Sequence, residues 1–141
     1  MSLINPGLSG SYVIRLTRAL QNLDFEKVFD ILKLFFANIP YDIQLNNEKY
    51  YQSIFFSIFS LIGTKIHAEV RTNKGRIDAV VEMETHVFIF EFKLNGSAKD
   101  ALDQIQRSDY AQKYQDSPKI THLFGVAFDH KERNVGEWII R

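Results

Sequence analysis

"GRIDAVVEMETHVFIFEFK", residues 75–93, contains two runs of β-branched and aromatic residues, 76–82 and 87–94, separated by a short polar segment. That pattern predicts a β-hairpin. Successive strand residues point to opposite sides of a sheet. In the second run Phe88, Phe90, Phe92 and Leu94 therefore share one face, and Val87, Ile89, Glu91 and Lys93 share the other. In the first run Ile77, Ala79 and Val81 oppose Arg76, Asp78, Val80 and Glu82. Each strand has one apolar face and one that turns polar at the end far from the turn.

A two-residue loop at Glu84 and Thr85 pairs position 78 with 91 and position 76 with 93. Asp78 then sits opposite Glu91 on the same face, with Cβ atoms about 4.5–5.5 Å apart. A one-residue slip would turn one strand's charges onto the aromatic side, so the core constrains the register. This register sets acid against acid and base against base, and directly opposed like charges destabilise a sheet. Two converging carboxylates suit a hard divalent cation such as Mg²⁺, which takes oxygen ligands at about 2.0–2.1 Å and keeps several waters. The backbone carbonyl of Phe92 is a further oxygen beside them. Lys93 follows on the same face about 6.5–7 Å along the strand, and its long arm reaches a water on such a cation, or a phosphate oxygen. On the residues alone a second reading stays open, that of a solvated hairpin face with diagonal salt bridges. A helix that crosses between later strands needs a surface to cover, which favours a covered face.

Helical periodicity dominates the first half. Ser11 is read as the cap of a short helix to about Gln21, and Asp24 opens a second, with Phe25, Val28, Phe29, Ile31, Leu32 and Phe35 as its stripe and Pro40 as its stop. A third helix follows Asn46 or Asn47 and ends at Gly63, with Ile54, Phe55, Ile58, Phe59 and Ile62 facing the core. A fourth is read as continuous from Ser97 to before Pro118. Strands are expected at 65–71, 76–82, 87–94, 120–128 and 134–140. Three strands, a crossover helix and two more strands predict an α/β fold, a mixed sheet flanked by helices.

Composition narrows the function. With 141 residues the chain is expected to fold as one compact unit. There is no cysteine, which removes disulfides, thiolate zinc sites and cysteine nucleophiles, and is compatible with a reducing cytoplasm. Lysine plus arginine equals aspartate plus glutamate at 17 each, so no global positive field draws in polyanions and any nucleic-acid contact must be local. Apolar runs such as "IFFSIF" fall far short of the ~20 residues that span a bilayer, and the chain is read as non-membrane and cytoplasmic. Its opening at "INPGLSG" reads as the tail piece of a longer protein. No G-x-x-x-x-G-K-[ST] occurs, so this piece has no P-loop.

Asp78 followed by Glu91-Phe92-Lys93 resembles the D…E-x-K signature of the PD-(D/E)xK nuclease superfamily. The helix 47–62, the meander 65–94, the helix 98–116 and the strand 120–128 follow that family's αβββαβ order. The set "GRID…FEFK…ALDQIQRSDYAQKY…GVAF" resembles, over roughly residues 46 to 140, the PD-(D/E)xK domain at the C-terminus of bacterial AAA-ATPase-like proteins. The resemblance implies a restriction-endonuclease-like fold: an N-terminal helical extension over residues 1–45 packed on a nuclease-like domain over 46–141. It implies Mg²⁺-dependent hydrolysis of phosphodiester bonds, with Mn²⁺ as a substitute. It also implies nucleic acid as substrate, DNA ahead of RNA, and an ATPase domain upstream; a dimer is left open. Asp78 and Glu91 match the metal ligands, joined by the Phe92 carbonyl, and Lys93 matches the residue that positions or activates the attacking water. Glu48 resembles the extra acid many members supply, and Gln104 the polar residue on the following helix. Tyr110 belongs to the same local pattern. Ile77 replaces the superfamily's proline before the first aspartate.

The residues themselves leave alternatives. Glu48 is also an ordinary first-turn acid favoured by the helix dipole, and Gln104, with the small neighbours Ala101, Ser108 and Ala111, is also an ordinary surface glutamine. Arg71, Lys74, Arg76 and Tyr110 are candidate substrate contacts. Glu69 is an accessory carboxylate or a plain strand-edge charge. Tyr110, Tyr114 and Trp138 could stack on bases, but their spacing suits core packing better. His67, His86, His122 and His130 show no ligand spacing. A binding module without hydrolysis is the rival function.

Overall fold

The computed structural model describes residues 6–38, 48–64, 66–73, 76–107, 109–129 and 131–141. Two helices lead, α1 (Pro6–Gln21) and α2 (Phe25–Ala37), followed by α3 (Glu48–Ile62). Then come β1 (His67–Asn73), β2 (Arg76–Glu82) and β3 (His86–Lys93), the helices α4 (Ala98–Gln106) and α5 (Asp109–Gln115), and finally β4 (Ile120–Asp129) and β5 (Asn134–Ile140). The five strands form one sheet in sequence order. β1, β2 and β3 are an antiparallel meander, β3 and β4 are parallel through the α4–α5 crossover, and β5 returns antiparallel along β4 with a bulge between Val126 and Phe128. The architecture is the expected α/β one, a mixed sheet with helices on both faces.

The aromatic face holds the larger core. Phe92 stacks on Phe55 of α3 with centroids 4.3 Å apart, Phe90 stacks on Phe124 of β4 at 4.5 Å, and Trp138 of β5 stacks on Phe29 of α2 at 4.4 Å. Trp138 thus packs, partly buried, against the core. The stripes of α2 and α3 are buried as their spacing predicts. Asp24 caps α2, its Oδ1 accepting from the Lys27 amide at 3.3 Å. α1 begins at Pro6, five residues before the expected cap at Ser11, because proline at a first helical position is already set to helical φ. The cap expected at Asn46 or Asn47 lies outside the described residues.

The opposite face holds a smaller cluster, in which Val80, Val87 and Ile89 pack with Ile105 of α4 and Tyr114 of α5. Here the single helix expected over 98–116 is two. α4 opens at Ser97, whose hydroxyl accepts from the Asp100 amide at 3.0 Å, and closes at Arg107; α5 starts at Asp109. Ser-Asp at 108–109 is a helix-start signature in its own right, and the second segment has its own anchor. The Tyr114 hydroxyl donates to Glu82 Oε2 at 3.2 Å, while Lys119 Nζ donates to the Met83 carbonyl at 2.9 Å and lies 3.3 Å from Glu82 Oε1. Burial pushes the Glu82 carboxyl up, but its bonds with Lys119 and Tyr114 outweigh that and leave it below its ordinary value.

α4 lies unusually close to the sheet at Gly125. A Cβ there would collide with the Ala98 carbonyl and come within 2.6 Å of the Leu102 amide nitrogen, both helix backbone. Only a residue without a side chain lets the helix descend this far. Gly125→Ala should therefore destabilise the protein by about 1–3 kcal/mol, the cost of overpacking a site with no flexible neighbour. Urea unfolding measures this; a loss below about 0.5 kcal/mol would show that α4 shifts freely.

Candidate active site

The hairpin has the register that its two-residue turn predicts: Asp78 pairs with Glu91, Ile77 with Phe92 and Arg76 with Lys93. Continued through the neighbouring strands, one row across the sheet reads Arg71, Asp78, Glu91, Gly125, and the next reads Asn73, Arg76, Lys93, Ala127. Gly125 is thus Glu91's neighbour in the sheet. The close descent of α4 at Gly125 roofs Glu91 over, and its residue is only 2% exposed.

α4 buries Ala98, Ala101, Leu102 and Ile105 against the sheet. The adjoining stripe, Asp100, Asp103, Gln104 and Arg107, forms the wall of a cleft of about 570 Å³ whose other lining residues are Arg76, Asp78, Glu91 and Lys93. Gln104 thus joins the hairpin charges. Asp100, Asp103 and Arg107 were missed from the sequence, although Asp100 and Arg107 lie four and three residues from Gln104 and three and four from Asp103, spacings that run along one helix face.

The floor of the cleft is electrostatically incomplete. Asp78 Oδ1 and Glu91 Oε2 are buried and have no hydrogen-bond partner among the described residues, and the same holds for Arg76 Nε. Arg76 Nε lies 3.9 Å from Asp78 Oδ2, the outer limit of an ion pair, so the guanidinium offsets the acids without engaging them closely. Burial first, then the facing Asp78 carboxylate, push the Glu91 carboxyl up to about 8, and the nearby charges of Arg76 and Lys93 hold it back only in part. Two facing carboxyl groups, each with an orphaned oxygen, fit a hard cation, which prefers oxygen donors. Among the described residues no group of three or more ligating side chains gathers around one point.

Lys93 owes its course to the turn that follows. Gly96 has φ +139°, which disfavours any side chain, and a Cβ there would lie 3.0 Å from Lys93 Cδ and 3.9 Å from Asp100 Oδ2. The lysine stem and the first turn of α4 share this space.

The remaining expected residues are dispersed. Arg71 is exposed on β1 beside Asp78 and outside the cleft lining. The Phe92 ring points to the aromatic core, and its carbonyl belongs to the backbone between Glu91 and Lys93. Glu48 begins α3 and Tyr110 lies in α5, but their side chains lie outside the described residues, as does all of Lys74. Glu69 is half-exposed at 3.6 Å from His67 and is not part of the cleft. The parallel pairing of β3 and β4 brings together two histidines that the sequence reading kept apart. His86 Nδ1 and His122 Nε2 are 3.0 Å apart on the aromatic face, remote from the acids. Burial first, then His86, depress the His122 imidazole.

Glu91 holds its proton more tightly folded than unfolded. Between about pH 4.5 and about 8 the folded, metal-free protein therefore binds the extra proton, and Glu91's contribution to stability is lost as the pH rises through that window. Unfolding in EDTA at several pH values should show Glu91→Gln equal to the parent near pH 5 and more stable than it at pH 8. A pH-independent difference would mean that Glu91 is not the group that titrates.

The family model of the PD-(D/E)XK nuclease superfamily matches residues 46–138, a span that includes the whole sheet and α3 to α5 apart from the strand end. A protein of Azotobacter chroococcum mcd 1, described as an uncharacterized protein in the vnfD 5′ region, is 37% identical over 139 residues, covering 91% of this chain. The chain spans 27% of that relative's length. No solved structure matches. The five-stranded mixed sheet flanked by helices is consistent with a restriction-endonuclease-like arrangement, and this chain belongs to the PD-(D/E)XK nuclease superfamily.

Proposed function

We propose that the protein is a nuclease that hydrolyses phosphodiester bonds of nucleic acid, DNA ahead of RNA, with Mg²⁺ as its cofactor and Mn²⁺ as a substitute. The observation that carries this reading is the Asp78–Glu91 pair. Two carboxyl groups, one of them almost wholly buried, oppose each other with unpartnered oxygens in a cleft that also contains a lysine. Unpaired buried charge is expensive, and a cation relieves it.

On this reading Asp78 and Glu91 hold the cation together with the Phe92 carbonyl, and Glu48 supplies a further carboxylate from the start of α3. Bound Mg²⁺ supplies Lewis-acid polarisation of the phosphate and a more acidic water. Lys93, as an ammonium, would position the attacking water and stabilise the hydroxide formed as that water loses its proton to solvent, while the leaving oxygen takes a proton up. The water oxygen bonds to phosphorus as the bond to the leaving oxygen breaks, giving a phosphomonoester and a hydroxyl. Gln104 steadies the water or a phosphate oxygen from the helix wall. Arg71, Lys74, Arg76 and Tyr110 hold the substrate backbone. Residues 1–45 form the helical extension of a nuclease domain over 46–141, which in the full-length chain follows an ATPase domain in the cytoplasm; self-association would form a dimer.

Two measurements test this. Millimolar Mg²⁺ should raise the unfolding temperature, by the equivalent of about 1.4 kcal/mol at ten times its dissociation constant, and Asp78→Ala should abolish the rise. Cleavage of labelled single- and double-stranded DNA should require the metal and fall about 10²–10⁴-fold in Lys93→Ala. No thermal response to either cation would count against the metal site. A response without cleavage would favour the binding-module reading.

A further inference from the structure

The cleft wall carries one cation that the nuclease reading does not use. Arg107 is the last residue of α4 to line the cleft, at the break that separates α4 from α5. Its Nε donates to the Asp103 carbonyl one turn back at 3.3 Å. That bond engages Nε, and no other hydrogen bond of the Arg107 side chain is found among the described residues. The side chain is exposed, and no ion pair to it is found among the described residues. Asp100, at the other end of the same stripe, lies against the Gly96 turn beside the Lys93 stem. Seven residues of helix separate Asp100 from Arg107, about 10 Å along the axis.

We infer that Arg107 holds a second phosphate of the substrate strand, displaced along α4 from the bond being cut. This rests on the nuclease reading and deepens it: the cleft binds a polynucleotide strand through at least two phosphates, and α4 is the rail along which the strand lies. Geometry separates the roles. Arg76 sits among the acids on the sheet floor, 3.9 Å from Asp78, and faces the reacting phosphate. Arg107 sits on the wall at the far end, and its planar fork suits a phosphate better than an ammonium would. The bland alternative is a cation that merely favours the negative end of α4. It predicts no effect on binding beyond that of any other surface charge.

The test uses Lys93→Ala protein with Mg²⁺, which binds without cutting, and fluorescein-labelled single-stranded and duplex DNA over a series of salt concentrations. Adding Arg107→Gln should weaken binding about tenfold and lower the slope of log K against log salt by about 0.7 for the single strand and about 0.9 for the duplex. Lys99→Gln, the same charge change on an exposed part of α4 outside the cleft, should alter neither comparably. Unfolding curves for each variant should coincide, since both side chains are exposed. Equal effects of the two substitutions, or an unchanged slope for Arg107→Gln, would overturn the role of Arg107 and leave the nuclease reading standing. Lys93→Ala protein that binds neither DNA would sink both.

Discussion

The β2–β3 register is the constraint on which the rest of the structure depends, and it is held from the side that carries no chemistry. Phe88, Phe90, Phe92, Ile77, Ala79 and Val81 all lie in the aromatic layer against α2, α3 and Phe124. Each large side chain in it contributes about 1.5–3 kcal/mol by leaving water. A slip of one residue would forfeit that layer and push Glu91 and Lys93 into it. The repulsion between Asp78 and Glu91 is far smaller than this loss, so the core imposes a pairing that electrostatics alone would reject. The sheet has one face that sets geometry and one that accepts the consequences.

On the accepting face, Gly125 does as much as any charge. A side chain at that point would lift α4 and admit water to Glu91; without one, helix backbone sits over the neighbouring strand. The same approach turns Asp100, Asp103, Gln104 and Arg107 toward the hairpin. α4 closes at Arg107, and α5 is tied separately to Glu82 through Tyr114. Burial of Glu91, the lining of the cleft and the division of the crossover helix thus follow from one small residue and one anchor.

This division explains what was legible in the sequence. The strand faces, the hairpin register, the caps at Asp24 and Ser97 and the core stripes of α2 and α3 rest on local periodicity and turn length, which the chain displays directly. The split of α4 from α5, the row from Arg71 to Gly125 and the pairing of His86 with His122 depend on how a helix crosses between parallel strands, and no local period encodes that. Gln104 could be placed on a helix but not in a cleft. Its neighbours at 100, 103 and 107 could be grouped on one helix face but not aimed at the hairpin, for the same reason: the rotation of α4 about its own axis is fixed by Gly125, about twenty positions away from the residues it orients.

The charge of the cleft connects this geometry to a chain with no net charge. Four carboxylates, Asp78, Glu91, Asp100 and Asp103, line it with three cations, Arg76, Lys93 and Arg107. With the proton that burial favours on Glu91, the two sets balance, and a polyanion meets neither attraction nor strong repulsion. On the proposed reading, a divalent cation displaces that proton and adds two charges, making the cleft one charge more positive than before. On that same reading, affinity for nucleic acid rises at the site as it becomes competent to react. A strongly basic surface would hold nucleic acid whether or not a metal was present; on the proposed reading, an acidic, half-roofed floor ties substrate binding to the cofactor. The like-charge pair that the register forces together is, in this light, the element that couples the two events.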